Sequence, residues 1–94
     1  MNKYESVILV SNKIKDEERK NTVNNIEKLI SVNGTNIELE ELGEKTLTYE
    51  IRKHKKAFYY VINFEANSEF INELHRNYRI MENIIKFMTI KKED

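Results

Sequence analysis

The strongest hydrophobic pattern in the chain runs through residues 58–66, which are rich in aromatic and β-branched side chains. The stretch is too short for a typical helix, so the pattern predicts a β-strand. Apolar and polar positions alternate, and one face carries Phe58, Tyr60, Ile62 and Phe64. The opposite face carries Tyr59 and Val61 before it turns polar. A strand with apolar side chains on both faces belongs in the middle of a sheet.

Three further stretches have the composition of strands. Residues 3–10 are also apolar on both faces, so they too are expected to be central. Residues 35–53 form a long strand that Gly43 interrupts, which indicates a bulge or a twist. The turn His54-Lys55-Lys56 joins this strand to the stretch described above, so that the two form a hairpin. Residues 83–91 make the last strand, whose nearly continuous apolar pattern leaves open which face is buried.

Two stretches have helical spacing instead. The first covers residues 16–33, with Asp16 as its N-cap and Gly34 as a C-terminal cap in the left-handed conformation. Its apolar stripe consists of Val23, Ile26, Leu29 and Ile30. The second helix follows a cap at Asn67 or Ser68. Its stripe consists of Phe70, Ile71, Leu74 and Tyr78.

The element order is therefore β-α-β-β-α-β, which predicts an α+β, ferredoxin-like fold formed by residues 1–94 as a single domain. In this fold a four-stranded antiparallel sheet carries both helices on one face. The first and third strands lie at the centre of the sheet, in agreement with their two-sided apolar character. No helix covers the other face of the sheet.

Composition removes several classes of function. The 94 residues include 16 basic and 16 acidic side chains, so the whole chain has no net attraction to nucleic acid. There is no cysteine, which excludes disulfides and thiolate metal sites. No apolar run approaches the length of a membrane span, so we expect a cytoplasmic protein that makes no contact with membranes.

Nothing in the sequence predicts catalysis, a cofactor or a metal site. His54 lies in a lysine-rich turn and His75 in a helix, and no pattern brings either to a nucleophile or to a second metal ligand. The two glycines, Gly34 and Gly43, form no phosphate-binding loop. A structural or surface role is the simpler interpretation of both histidines.

Basic residues and one apolar face are more informative. Cationic side chains gather in the hairpin turn, at the start of the first strand and around the second helix and last strand: Lys3, Lys53, Lys55, Lys56, Arg76, Arg79, Lys86 and Lys91. Apolar residues of the two central strands occupy the face without a helix: Val7, Leu9, Tyr59 and Val61. Lysines in turns are often only solvated, whereas contiguous exposed apolar side chains often mark a docking surface. The combination favours a module held between a protein partner and a nucleic-acid backbone.

Short motifs follow one another in a specific order along nearly the whole chain. They are Tyr4-Glu5; Glu41-Leu42-Gly43 followed by Lys45, Leu47, Tyr49, Ile51 and Lys53; Lys56-Ala57 and Tyr59; Asn63-Phe64-Glu65-Ala66; Tyr78-Arg79-Ile80; and Ile84-Ile85-Lys86. Their order and spacing resemble one family, the sixth protein of the bacterial small ribosomal subunit.

The resemblance implies a structural protein of cytoplasmic ribosomes. Members of this family bind the central domain of small-subunit ribosomal RNA together with the eighteenth small-subunit protein. Basic positions of the family fall on Lys45, Arg79 and Lys86, which the resemblance implies as RNA contacts. Thr46 and Glu50 depart from the family pattern, in which arginine and proline are frequent at these positions.

A second interpretation needs no ribosome. A ferredoxin-like module could use its uncovered face to bind a ligand or to associate with itself. The ribosomal interpretation predicts a chain that is monomeric when isolated and that assembles only with its ribosomal partners, so sedimentation of the pure protein distinguishes the two.

Overall fold

The computed structural model describes residues 1–92, and the order of their elements is β-α-β-β-α-β. The elements are β1 (Asn2–Ser11), α1 (Asp16–Asn33), β2 (Gly34–Ile51), β3 (His54–Ala66), α2 (Ser68–Ile80) and β4 (Ile84–Lys92). The strands form one antiparallel sheet in the order β2-β3-β1-β4. This arrangement confirms the predicted fold class and the central position of β1 and β3.

Strand register determines which side chains share a face. In β1 and β3, Val7 lies opposite Val61 and Leu9 lies opposite Tyr59. Directly paired residues project to the same side of a sheet. In β4, Met88 lies opposite Val7. The face that carries these side chains is called the open face below. The register also assigns Met88 of β4 to this face, which the sequence alone left undecided.

Both helices pack against the other side of the sheet, the helix face. The main core joins alternate residues of β1 and β3 to the stripes of the two helices. Its buried members are Tyr4, Ile8, Val10, Val23, Ile26, Ile30, Tyr60, Ile62, Phe64, Ala66, Phe70, Leu74, Tyr78 and Ile84. The predicted placement of both helices on one face is therefore confirmed. Most of the buried apolar surface, and with it most of the hydrophobic stabilisation, lies on this side.

A smaller cluster lies on the open face, near the turn between β2 and β3. It contains Leu9, Leu47, Ala57 and Ile85, all buried. No helix covers the open face within residues 1–92, as predicted, but Leu47 of β2 packs over this end of it. Leu9 is consequently only 6% exposed.

The hairpin of β2 and β3 differs from its predicted form at the turn. Gly43 has a φ of 82° at a shift in register, so the predicted bulge is confirmed. The turn itself is formed by Arg52 and Lys53, with φ values of 47° and 63°, and not by residues 54–56. His54 already pairs with Ile51 as the first residue of β3. The buried histidine side chain anchors the strand there, and composition alone did not reveal this.

The helix ends also required correction. The N-cap of α1 is Lys15, and Asp16 lies inside the first turn, where a carboxylate still favours the positive end of the helix dipole. Gly34 follows α1 in an extended conformation with a φ of −147°, not in the left-handed one. A Cβ atom at Gly34 would lie 2.5 Å from the carbonyl oxygen of Glu65, so close approach to β3 explains the glycine. Asn67 is the N-cap of α2, as one of the two predicted positions.

The short charged tail, residues 92–94, is predicted from the sequence to fray, but Glu93 and Asp94 lie outside the described residues. Lys92 belongs to β4 instead, and its Nζ atom lies 3.8 Å from Oε1 of Glu5.

Candidate functional site

An apolar groove crosses the open face between β3, β1 and β4. Its volume is about 220 Å³, and its lining residues are Val7, Leu9, Tyr59, Lys86, Phe87 and Met88. Strand register creates it, because paired residues of adjacent strands project side by side. Val7, Tyr59 and Val61 are each partly exposed. The four side chains predicted to bind a partner are thus adjacent on one surface.

Strand β4 extends this apolar surface toward the edge of the sheet. Met88 is 57% exposed and Ile90 is 46% exposed, and both project to the open face. Sequence reasoning missed these two residues because it could not assign a face to the last strand. A contiguous apolar patch with this exposure is typical of a surface that another molecule covers.

Two of the predicted cations lie beside the groove. The Nζ atom of Lys45 is 5.9 Å from the centre of the Tyr59 ring. Lys86 lies opposite Leu9 and lines the groove itself. A third predicted cation, Lys3, lies at the far end of the open face, in register with Glu65 and Lys92.

A second group of cations lies at the turn between β2 and β3. Lys53 belongs to the turn, and Lys55 and Lys56 are exposed on the first residues of β3. The structure adds Arg52 from the same turn. It also adds Lys13, whose Nζ donates to the carbonyl oxygen of Lys53 at 2.8 Å. The sequence places Lys13 in the loop after β1, but it does not show that this loop contacts the turn between β2 and β3.

Arg79 and Lys91 lie on the other side of β4 from Lys86. The guanidinium carbon of Arg79 is 5.8 Å from the centre of the Phe87 ring, and Lys91 is in register with Tyr4 of the main core. The structure therefore does not bring together in one patch the cations that the sequence predicts to contact RNA, which are Lys3, Lys45, Lys53, Lys55, Lys56, Arg79, Lys86 and Lys91. Within residues 1–92, neither Arg79 nor Lys86 forms an ion pair with a carboxylate.

The histidines have structural roles. The Nε2 atom of His54 lies 2.6 Å from Oγ of Ser11, and its Nδ1 atom lies 2.9 Å from the carbonyl oxygen of Arg52. No sequence pattern predicted that His54 would meet a hydroxyl group. However, Ser11 is only 6% exposed and His54 only 8%, so the pair is a buried hydrogen bond that joins β1 to the turn.

His75 lies at the end of a polar chain under α2. Its Nε2 atom is 2.9 Å from Oγ1 of Thr89, which in turn is 3.0 Å from Oγ of Ser6. Burial lowers the pKa of His75, and the positive charge of Arg79 lowers it further. Burial also raises the pKa of Tyr78 to about 12, and its hydroxyl lies 2.8 Å from Oγ of Ser6. These side chains stabilise the core and do not face the groove.

The described residues offer no cluster of three or more side chains suited to hold a metal ion. Neither helix among them has both the length and the apolar character that crossing a membrane requires. Within residues 1–92, the arrangement that remains is an apolar groove with cations beside it and at three other places: the far end of the open face, the turn between β2 and β3, and the opposite side of β4.

Comparison with known proteins gives a consistent result. A model of the family "Ribosomal protein S6" matches residues 3–91. The chain is 40% identical to small ribosomal subunit protein bS6 of Campylobacter hominis, over 100% of this chain and 66% of that protein. It is 33% identical to the bS6 protein of Alkaliphilus oremlandii, over 99% of both. The chain thus spans about two thirds of the length of some of these relatives and nearly all of others.

The architecture is shared with a solved structure. The crystal structure of 30S ribosomal protein S6 from Thermotoga maritima matches with a TM-score of 0.91 and 31% identity. The match covers 97% of this chain and 87% of that one. Similar strand order, helix placement and length therefore accompany the similarity of sequence.

Proposed function

The chain belongs to the ribosomal protein S6 family, and we propose that it binds the central domain of small-subunit ribosomal RNA together with the eighteenth small-subunit protein. Its relatives are named as proteins of the small ribosomal subunit and not as enzymes. Family membership thus confirms the predictions of a non-enzymatic ribosomal protein and of a location in cytoplasmic ribosomes.

The observation that carries the proposal is the apolar groove on the open face. Side chains such as Met88, at 57% exposure, lose unfavourable contact with water when a partner covers them. The groove lies between Lys45 and Lys86 and carries no carboxylate in its lining. A protein partner can cover the apolar centre while leaving these cations at the margin, where RNA phosphates can reach them.

Charge supports a joint mode of binding. The whole chain has no net charge, so its long-range attraction to bare RNA is weak. Individual lysines and arginines still displace counterions from the phosphates that they contact. A basic protein partner would supply the field that this chain lacks, and the rigid sheet would fix the spacing of its cations.

The two faces of β4 suggest how the RNA is held. Arg79 lies toward the helix face and Lys86 lies on the open face, so the two cations flank the edge of the sheet. Phosphates on two neighbouring RNA segments could therefore be bound at once. Contacts of this kind recognise the shape of folded RNA more than its sequence.

Substitution of Val61 by Glu tests the partner surface. Val61 lies between Val7 of β1 and Glu40 of β2 on the open face, so a new carboxylate there would lose its solvation to the partner beside an existing negative charge. We expect the affinity for the eighteenth small-subunit protein to fall by roughly tenfold or more in calorimetric titration. The matched control is Val32→Glu, because Val32 is 83% exposed on α1, away from the groove. Equal affinity of both variants and the unmodified chain would move the partner interface elsewhere.

Paired alanine substitutions test the RNA surface. Replacing Arg79 and Lys86 should weaken binding to the complex of RNA and partner, and should reduce the slope of log affinity against log salt by about two counterions. Replacing Lys20 and Lys28, two exposed lysines of α1, removes the same charge and should leave the slope unchanged. If the two double variants have the same slope, Arg79 and Lys86 do not contact phosphates.

A further inference from the structure

The strand β2 bulges outward just before its turn into β3. Thr46 pairs with Lys56, and Ile51 pairs with His54. Between these two pairs β2 has four residues, 47–50, whereas β3 has only Lys55. The three additional residues of β2 cannot join the ladder, so the segment projects from the sheet.

The bulge carries two apolar side chains that differ sharply in burial. Leu47 packs into the small cluster on the open face and is only 8% exposed. Tyr49, two residues further on, is 81% exposed. Among the large apolar side chains of residues 1–92 that are strongly exposed, it is the one aromatic ring. The core therefore gains nothing from the ring, which is held in water by a fixed segment of backbone.

Hydrogen bonds fix the turn beside this ring. Ser11 and His54 are joined at 2.6 Å, His54 contacts the carbonyl oxygen of Arg52 at 2.9 Å, and Lys13 donates to the carbonyl oxygen of Lys53 at 2.8 Å. These contacts tie the turn to β1 and to the loop that follows it. The bulge is thus held at both ends, by the buried Leu47 and by the anchored turn. The backbone that carries the ring is therefore ordered before binding, which lowers the entropic cost of a contact made by the ring.

The charges around the bulge are predominantly positive. Residues 45–56 contain five basic side chains, Lys45, Arg52, Lys53, Lys55 and Lys56, and one acidic side chain, Glu50. This is an excess of four positive charges in a chain whose total is zero. The location of Tyr49 at the most basic segment distinguishes it from the exposed aliphatic residues Val32 and Ile80, which lie at the ends of the helices.

We propose that the ring of Tyr49 stacks on an unpaired base of the RNA while the neighbouring cations bind the adjacent phosphates. Proteins recognise RNA mainly at loops and bulges, where unstacked bases lie against aromatic side chains. Stacking tolerates any base because every base has a flat apolar face. The positive surroundings favour RNA over a protein as the molecule that covers Tyr49. This inference depends on the RNA binding proposed above, and it adds a specific contact with a base to contacts that recognise only phosphates.

Two short RNA hairpins test the contact. They share one stem, and one of them contains a single unpaired 2-aminopurine, whose fluorescence reports stacking. At low salt the unmodified protein should bind the bulged hairpin more tightly than the paired one, and should change its fluorescence. Tyr49→Ala should remove the preference and weaken binding of the bulged hairpin by roughly 5- to 150-fold, the range of one base stacked on an aromatic ring. Tyr49→Phe keeps the ring and should retain both effects.

Salt dependence separates this contact from the phosphate contacts. Tyr49→Ala should leave the salt slope unchanged, because stacking releases no counterions. Replacing Lys53 and Lys55 by alanine should lower the slope instead. Val32→Ala is the control for loss of an exposed apolar side chain, and should match the unmodified protein.

The possible failures are distinguishable. Equal binding of both hairpins by the unmodified protein, or a preference that survives Tyr49→Ala, overturns the stacking contact and leaves the proposed RNA binding intact. Loss of affinity for the eighteenth small-subunit protein in Tyr49→Ala, with RNA binding unchanged, assigns the ring to a protein interface and also overturns it. Absence of salt-dependent binding to either hairpin and to the central-domain RNA with the partner present overturns both proposals.

Discussion

Replacement of Tyr78 by Phe and of Ser6 by Ala tests the polar chain that crosses the main core. The Tyr78 hydroxyl lies 2.8 Å from Oγ of Ser6, and Oγ of Ser6 lies 3.0 Å from Oγ1 of Thr89. Ser6 is fully buried and Tyr78 is 1% exposed. Neither hydroxyl can replace a lost hydrogen-bond partner with water. The loss of stability in each variant should therefore depend on which buried groups remain without a partner.

The two single substitutions differ in what they leave unpaired. Tyr78→Phe removes one hydroxyl, and Ser6 still keeps its bond to Thr89, so the cost is that of one neutral hydrogen bond, about 1 kcal/mol. Ser6→Ala leaves the buried Tyr78 hydroxyl without its partner, which costs about 1–3 kcal/mol in lost solvation. It also breaks the bond to Thr89. We therefore expect Ser6→Ala to destabilise the protein by about 2 kcal/mol, more than Tyr78→Phe.

The double variant provides the decisive comparison. With both hydroxyls gone, no unpaired group remains at Tyr78, so the free energy of unfolding should fall by less than the sum of the single changes. Urea unfolding of the four proteins at pH 7 measures all the terms, and a coupling of about 1 kcal/mol is expected for contacting residues. If the single effects add, or if Tyr78→Phe proves the more costly, the hydroxyls are not coupled as the distances indicate. Titration of the phenol provides a check, because the pKa of Tyr78 should be near 12 and should exceed that of an exposed tyrosine.

Two further predictions concern His75 and the glycines. Because burial and Arg79 hold the pKa of His75 below its ordinary value of 6.5, unfolding takes up a proton in acid. The free energy of unfolding should therefore fall as pH drops through 6.5 toward the folded pKa. In urea unfolding at pH 8 and pH 5.5, His75→Gln should show a smaller loss of stability between the two pH values than the unmodified protein. An equal pH dependence of both proteins would contradict this. Gly34→Ala should cost about 3 kcal/mol, since the new Cβ meets the carbonyl oxygen of Glu65 at 2.5 Å. Gly43→Ala meets no neighbouring atom and should cost about 1 kcal/mol, because a residue with a Cβ atom is strained at this positive φ. Asn should therefore be tolerated at position 43 but not at position 34. Thermal unfolding that ranks the variants at the two positions otherwise would refute the roles given to the two glycines.

Periodicity predicted the architecture because each central strand carries apolar residues on both faces. The alternation in residues 58–66 separates Tyr60, Ile62 and Phe64, which pack under the helices, from Tyr59 and Val61 on the open face. The same rule failed for β4. Its residues 84–90 are apolar at nearly every position, so no alternation distinguishes the faces, and only pairing with β1 assigns Met88 to the groove.

Local composition was less reliable where tertiary contacts decide the conformation. The lysines after His54 suggested a turn at residues 54–56, but the buried bond between His54 and Ser11 starts the strand at His54 and moves the turn to Arg52 and Lys53. Gly34 was interpreted as a left-handed cap because it follows a helix. Its actual requirement is contact with Glu65, a residue 31 positions away in the chain. Neither contact has a signal in the neighbouring sequence.

The predicted site residues likewise divide into those whose position follows from the strand pattern and those whose position depends on tertiary contacts. Val7, Leu9, Tyr59 and Val61 are brought together because they lie on central strands whose register is determined by the core. The cations lie in the turn, at the end of a helix, on the edge strands and at the ends of the central strands, so no common element brings them together. Arg79 and Lys86, seven positions apart, consequently lie on opposite sides of β4. Their role as RNA contacts stays a prediction.

The distribution of buried residues explains why the open face can be changed without loss of the fold. The helix face holds a cluster of fourteen buried residues and the open face a cluster of four, so stability resides mainly on the side that faces the helices. Val61 belongs to neither buried cluster, and a polar group there should reduce binding far more than stability. Leu9 differs, because it lines the groove and is also buried under Leu47. A substitution at Leu9 would therefore affect both properties, and the partner surface is better tested at Val61.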